Sequence, residues 1–389
     1  MDDGLVKDLY IRATPFEVAA GWIHGLLPRT PLPEDDRAPR QALDDAIRPA
    51  LLTGTCYVTF SGGRDSSAVL AAATDLARRE GYNLPVPVTR VYPHLPDTEE
   101  SGWQRMVIDH LGITDWVRLK FTGDETDLLG DAAREAVRRR GPVWPAALQT
   151  HGAMFTRLGP GSVLTGEGGD AVLGFRRGTA WAAMRRGRRP GRALLKLAGT
   201  AILPRPFRNS MLRREIRTSG QSRWLTPQAF DRHIRLAAAD ESVEPLRYDS
   251  GTWFITRRRF FAAATHNYAA GAAEFGLKAY DPLLDSGFIA ALAHSGGLWG
   301  YTGRTDTMRS LFGDILPAGT IARGSKASFN HAHTGSATRA FATGWDGSGV
   351  DRELVDVDEL RRVWLSDEPT MATGLLLHEA WLAAGAPEP

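Results

Sequence analysis

A chain of 389 residues, 43% of them hydrophobic, can bury a sizeable core in one large domain or two coupled ones. Its 47 Lys and Arg nearly balance 45 Asp and Glu, for a net charge of +2, so the molecule as a whole is no nucleic-acid binder by charge. The single cysteine, Cys56, excludes an internal disulfide framework and a Cys-rich zinc site, and no apolar run reaches the length of a membrane span.

The N-terminus, Met-Asp-Asp-Gly, lacks an apolar signal region, so a cytoplasmic protein is expected. Residues 1–40 read as an extension of short helical pieces around Phe16–Leu27 and a proline-rich break from Pro28 to Pro33. A helix from Pro39 to about Leu52 would place Leu43, Ile47 and Leu51 on one face, to pack beside the next strand. That strand, Thr55–Phe60, is β-branched and aromatic, as a buried parallel strand should be, and Cys56 inside it reads as an inert thiol. Ala68–Ala73 favours helix.

Between strand and helix lies Ser61-Gly62-Gly63-Arg64-Asp65-Ser66-Ser67. Gly62 and Gly63 allow a tight turn with bare N–H groups, and the helix start adds its positive dipole end; together they make a phosphate site. The Gly-Lys-Ser/Thr of a Walker loop and the G-x-G-x-x-G of a dinucleotide fingerprint are both absent. A carboxylate at Asp65 fits beside phosphates when both share a magnesium ion. The turn resembles the Ser-Gly-Gly-x-Asp-Ser pyrophosphate loop of the N-type ATP pyrophosphatases (the PP-loop superfamily). That group includes asparagine synthetase, β-lactam synthetase, lasso-peptide cyclases, GMP synthetase and tRNA-modifying enzymes.

Val86–Tyr92 reads as a second strand, Asp97–Ser101 as a helix start continuing through Trp103–Leu111 to Gly112, and Trp116–Phe121 as a third strand. This alternation predicts an α/β fold with a doubly wound parallel sheet, whose ligands bind at the carboxyl ends of the strands. The adenine of ATP is then expected near Val88–Tyr92. Glu99 and Glu100 read equally as first-turn helix charges and as site groups. A helix is expected over Gly123–Arg140, stopped by Pro142 to Pro145, and another over Gln149–Leu158.

Ser162–Thr165 is an apolar strand running into Gly166-Glu167-Gly168-Gly169-Asp170. The design of the first turn returns: bare glycines beside acids, with Asp170 placed to share a magnesium ion with Asp65 and Glu167 to reach a bound substrate. Thr165–Gly174 resembles the Ser-Gly-Glu-Gly-x-Asp-Glu-x-Phe-Gly motif of asparagine synthetase C-terminal domains. Ala279–Asp285 resembles that family's Ala-Arg-Val-Pro-Phe-Leu-Asp segment, and Thr307–Pro317 with Arg323-Gly-Ser-Lys326 its helix, Leu-Pro and Arg-x-x-Lys tail. The matches follow family order from about Ala42 to Phe341. They imply a fold of the adenine nucleotide α-hydrolase-like type with a helical C-terminal half. The expected division is an extension over 1–40, a synthetase-like domain over 41–345, and C-terminal helices over 346–389. Lys278 and Asp281 stand where asparagine synthetases carry Glu and Val, and Ala171 replaces an acid, departures that argue against aspartate as the substrate. Asp2, in place of a Cys after the initiator Met, and the short stretch before the nucleotide strand lead us to expect no glutaminase domain.

Residues 175–222 form a basic insertion, crowded with arginines from Arg176 to Arg217 and holding one acid, Glu215. Two readings stand: a solvated, partly disordered insertion, or an electropositive arm recruiting an acidic peptide, a carrier protein, RNA or a membrane surface. Tyr248–Leu292 reads as helical, its aromatic residues as core. His266, His294, His331 and His333 lack metal-ligand spacing. Val357–Ala384 reads as two helices.

The resemblance implies an AMP- and pyrophosphate-forming amide synthetase using ATP and Mg²⁺. It assigns nucleotide contacts to Ser61, Gly62, Gly63, Asp65, Ser66, Ser67, Val88, Thr165, Gly166 and Arg323, and metal contacts to Asp65 and Asp170. Glu167 would be the base and Lys326 the electrophilic partner. The favoured substrate carries both carboxylate and amine in peptide or natural-product biosynthesis, with lasso-type macrolactam cyclases and β-lactam synthetase-like enzymes as the nearest subgroups. A precursor peptide is expected near the basic arm, 176–217, together with a leader-peptide-binding or protease partner. The competing readings are an ammonia- or amine-dependent enzyme on a small amino acid, a nucleic-acid-modifying PP-loop enzyme, and an inactive binding protein.

Overall fold

In the computed structural model, residues 9–189, 191–324 and 327–386 are described. The chain enters through α1 (Pro15–Ala20), whose first turn is closed by a reciprocal cap between Thr14 and Glu17. Next comes α2 (Pro39–Leu51), which buries Leu43, Ile47 and Leu51 as its spacing predicts. The nucleotide half then runs β1 (Cys56–Thr59), α3 (Arg64–Glu80), β2 (Val86–Val91), α4 (Ser101–Leu111), β3 (Val117–Lys120), α5 (Asp131–Arg140) and β4 (Gly161–Leu164). Helices follow: α6 (Thr179–Arg185), α7 (Arg192–Ile202), α8 (Arg205–Thr218), α9 (Pro227–Ser242) and α10 (Arg259–Ala273). After β5 (Leu277–Tyr280) come α11 (Ser286–Gly296), α12 (Arg304–Phe312), α13 (Ser336–Gly344), α14 (Val357–Leu365) and α15 (Gly374–Ala383).

The five strands pair in parallel in the order β3-β2-β1-β4-β5. Connections run one way from β1 to β3 and the other way to β4 and β5. The crevice of this doubly wound sheet therefore opens between the carboxyl ends of β1 and β4. One face packs Val58, Leu70, Leu76, Phe288 and Phe312 against α2, α3, α11 and α12. The other packs Val88, Phe121, Phe155, Val163 and Leu277. Each such fully buried side chain contributes roughly 1.5–3 kcal/mol of transfer free energy. A third cluster joins Phe16 of α1 to Trp345, Trp364 of α14 and Trp381 of α15, so the N-terminal extension and the C-terminal helices share one core.

Four segments depart from the sequence-based expectations. Tyr248–Leu292 is not helical throughout: Gly276, at φ 72°, ends α10, and the short strand β5 pairs with β4 in its place. The helix expected over Gly123–Arg140 begins only at Asp131, because Asp127 bonds the Leu129 N–H at 2.7 Å and holds an irregular turn ahead of it. Gln149–Leu158 splits into two short helical turns, Ala146–Thr150 and Gly152–Phe155. The basic insertion is folded rather than loose. It forms α6, α7 and α8, with Arg176 paired to Glu244 and with Arg177 and Arg208 donating to the Glu244 carbonyl. No helix among the described residues is long and apolar enough to cross a membrane.

Candidate active site

The crevice is walled by two glycine turns in direct contact. In the first, Gly62 adopts φ 84°, and a Cβ there would meet Gln104 Cγ at 2.8 Å. The Gly63 N–H donates to Ser61 Oγ at 3.2 Å, and Ser66 Oγ donates to the Gly63 carbonyl at 3.2 Å. This internal lacing shapes the turn ahead of α3, whose first-turn amides face the crevice. The second turn touches the first through its glycines. A Cβ on Gly166 would lie 2.7 Å from Ser66 N, and one on Gly169 would lie 2.3 Å from Asp65 Cγ. Side chains at 166 and 169 would push the turns apart. Glycine is required there for close approach.

Asp65 and Asp170 project from these turns toward one cation, Arg304 at the start of α12. Its Nη2 donates to both oxygens of Asp65, at 2.5 and 2.6 Å, and its Nη1 to Asp170. Burial pushes the Asp65 carboxyl above its ordinary range, and the Arg304 charge opposes that shift. Arg64 stands behind the pair, held below the usual guanidinium range by burial and by the neighbouring Arg304 charge.

Glu167 projects from the second turn with solvent access. Enough protein surrounds it that burial, then the charges of Asp281 and Asp65, raise its pKa. Asp281, just past β5, accepts a hydrogen bond from Thr165 Oγ1, and burial pushes its carboxyl up to about 6. The Glu167 N–H donates to the same Thr165 hydroxyl at 3.1 Å. Thr165 thereby ties the ends of β4 and β5 together beneath the two acids.

The chain matches the asparagine synthase family over residues 38–383. It belongs to that family. The domain is accordingly an ATP-dependent, AMP-forming carbon–nitrogen ligase, in which ATP cleavage drives amide formation. No curated protein matches the chain.

In this asparagine synthase-like domain, most of the sequence-predicted residues converge. Ser61, Gly62, Gly63, Asp65, Ser66, Thr165, Gly166, Glu167 and Asp170 all stand on the two turns. Ser67 lies in the first turn of α3 but is fully buried, with its hydroxyl unpartnered among the described residues. Val88 is 2% exposed in the core, and its carbonyl accepts from Phe60 N–H at 2.8 Å, so its side chain lies beneath the crevice. Arg323 is also buried: it donates to the Gly62 carbonyl at 2.8 Å, pairs with Glu100, and stacks 4.9 Å from the Trp103 ring. It braces the back of the first turn. Lys326 lies outside the described residues.

Sequence reasoning missed Arg304, Arg64, Gln104 and Asp281 as site groups. Arg304 carries no signal of its own, being one arginine in an arginine-rich chain. Gln104 was legible only as one more polar position on a helix; it donates to the Ser61 carbonyl at 3.0 Å and supports the turn from behind. The even choice at Glu100 resolves to a structural role, since its partner is the buried Arg323.

Among the described residues no group of three or more His, Cys, Asp or Glu side chains is placed to hold a metal by itself. The Asp65–Asp170 pair nonetheless fits magnesium, an oxygen-seeking ion bound through one or two carboxylates plus phosphate oxygens and water. The guanidinium now between the two acids shows that the pair demands positive charge.

Proposed function

We propose that this chain activates a substrate carboxylate as its adenylate and couples it to an amine of a peptide or peptide-like substrate, closing an amide or lactam of the lasso-type macrolactam kind. The observation carrying this reading is the contact of the two turns, which sets Asp65, Asp170 and Glu167 around one crevice. Asp65 and Asp170 would hold Mg²⁺, which neutralises charge on the departing pyrophosphate. The backbone amides of residues 61–67 and the Arg64 and Arg304 guanidiniums would cradle the phosphates. Gly166 and Thr165 keep the second turn close enough for the carboxylate to reach the α-phosphorus. Glu167, with its raised pKa, would take the proton of the attacking amine, and Lys326 would stabilise the oxyanion.

The exposed arm would recruit the precursor peptide. Arg188, Arg189, Arg192, Arg213 and Arg214 are solvated on α6–α8 and the loops beside them, next to the exposed Leu195, Leu197 and Phe207. Arg186 ties the arm to α12 through Asp306 at 2.7 Å, so a peptide held there lies beside the helix that carries Arg304. A leader-binding or protease partner would deliver that peptide in the cytoplasm.

Two variants test the division of labour. Asp65→Asn should abolish ATP–pyrophosphate exchange. Glu167→Gln should spare the exchange and block amide formation; equal loss of both steps would remove the base role.

A further inference from the structure

The sheet ends on β5, whose far side pairs with no strand among the described residues. The Thr165 N–H donates to the Tyr280 carbonyl and the Gly161 N–H to the Gly276 carbonyl, so residues 276, 278 and 280 turn their backbone groups toward β4. Ala279, between them, turns its N–H and C=O the other way, and neither has a partner among the described residues.

An open cleft of about 450 Å³ runs over this edge, within the size range of ligand clefts. Ala279 and Asp281 line its floor, Ala46 of α2 one wall, and Thr265 and Ala269 of α10 the other. Small side chains on both walls leave open the place beside β5 where a further strand would lie, about 4.8 Å away. The cleft is also polarised along the strand. Asp281 and Asp285 stand at the end where β5 meets the reaction centre, and no lysine or arginine lines the cleft among the described residues. Asp285 is exposed and caps α11 through one oxygen, accepting from Phe288 N–H at 3.0 Å. Asp281 leads on to the second glycine turn, because it accepts from the Thr165 hydroxyl to which the Glu167 N–H also donates. An unpaired strand edge recognises an extended chain through main-chain hydrogen bonds, and acids at one end select for positive charge there.

Resting on the ligase reading, we propose that the free edge of β5 takes up the amine substrate as an extended peptide, antiparallel to β5, with its amino terminus toward Asp281 and Asp285. In that direction a single peptide residue exchanges both hydrogen bonds with Ala279. The terminal amine is thereby carried to the Glu167 side of the crevice, while the phosphate turns over β1 and β4 stay clear of the peptide.

Amide hydrogen exchange on the full, nucleotide-free chain tests this by NMR, with Ala-Thr-Val-Thr-Ala amide as the probe. The controls are its N-acetylated form and a form with alternate amides N-methylated. In the free protein the Ala279 amide should exchange fast, while the Lys278 and Tyr280 amides, bonded to β4, exchange slowly. The probe at about 10 mM should slow Ala279 about tenfold or more. Acetylation should weaken binding about threefold or more, and N-methylation should abolish it. Ala279→Pro removes the outward N–H and leaves the pairing with β4 intact, so it should lose calorimetric binding of the probe, with Tm near wild type and ATP affinity within about twofold. Should proline disturb the fold, Ala46→Leu fills the cleft from a helix that accepts leucine and should block the probe equally. The proposal fails if the probe leaves Ala279 exchange unchanged, if the N-methylated form binds as well, or if a folded variant binds the probe undiminished. A wild-type dimer that Ala279→Pro turns into a monomer would assign the edge to a second copy of the chain and overturn it. Absence of ATP–pyrophosphate exchange in the wild type would count against the ligase reading instead, and the nucleotide-free experiment would still decide the edge.

Discussion

Asp65 and Asp170 are held by one guanidinium, that of Arg304, which donates to both oxygens of Asp65 and to Asp170. The two carboxylates come from turns far apart in sequence, on the neighbouring strands β1 and β4, and without a cation between them they would repel. Arg304→Met should therefore destabilise the metal-free protein by about 1–2 kcal/mol, a value kept modest by the exposure of Asp170. Millimolar Mg²⁺ should restore the loss, because the ion takes the place of the missing charge. Thermal melts with and without Mg²⁺ check both parts; an equal Tm loss in the two conditions would separate Arg304 from the metal site.

The acids beside Thr165 set a pH dependence. Burial raises Asp281 from 3.8 to about 6, so the folded state favours its protonated form. Its contribution to stability is complete below pH 3.8 and is lost as pH rises through about 6. Asp281→Asn should flatten that slope and raise stability at pH 7 by roughly 1–3 kcal/mol, since Asn can still accept from Thr165. The Asp281 charge also helps to keep the Glu167 pKa up. A base must be ionised, so activity should rise with pH through the raised Glu167 pKa, and Asp281→Asn should move that acid limb to lower pH. Denaturant melts and a pH–rate profile on the same variant read the two effects separately.

Both glycine turns were legible in the sequence because each confines several residue types to a strand–helix junction, and the close approach at Gly169 shows why no side chain stands there. The sheet was legible where strands alternate with long helices. It was not at β5, whose four residues, Leu277–Tyr280, carry no periodicity that a helix would not also show. Arg304 and Gln104 were invisible for another reason. Each acts through contacts set by tertiary packing, Arg304 with Asp65 and Asp170 and Gln104 with the Ser61 carbonyl, and nothing in local composition marks them.

The arm separates arginines that build the fold from arginines that face solvent. Arg176, Arg177 and Arg208 converge on Glu244, and Arg186 reaches Asp306 and the Gly300 carbonyl. Changing those should unfold the insertion. Replacing Arg188, Arg189, Arg192, Arg213 and Arg214 with Ser should leave Tm near that of wild type, since surface changes stay within about 0.5 kcal/mol each. The same variant should raise KM for an acidic peptide substrate about tenfold or more, with KM for ATP unchanged and a weaker dependence on salt. An unchanged peptide KM would return the arm to a plain solvated surface.

The brace behind the first turn gives a sharper test, because Arg323 and Glu100 are both almost fully buried, at 5% and 7% exposure. Arg323 holds the Gly62 carbonyl, and Glu100 holds Arg323. Arg323→Met alone strands a buried carboxylate and should cost about 3–5 kcal/mol. Adding Glu100→Gln should recover most of that stability, because an uncharged amide is cheaper to bury than an unpaired charge. The turn, however, stays without its brace, and a displacement of about 1 Å at the phosphate cradle can lower the rate about 100-fold. The double variant should therefore melt near wild type and exchange pyrophosphate poorly. Full activity in that stable double variant would show that Gln104 and the serine lacing hold the turn without Arg323.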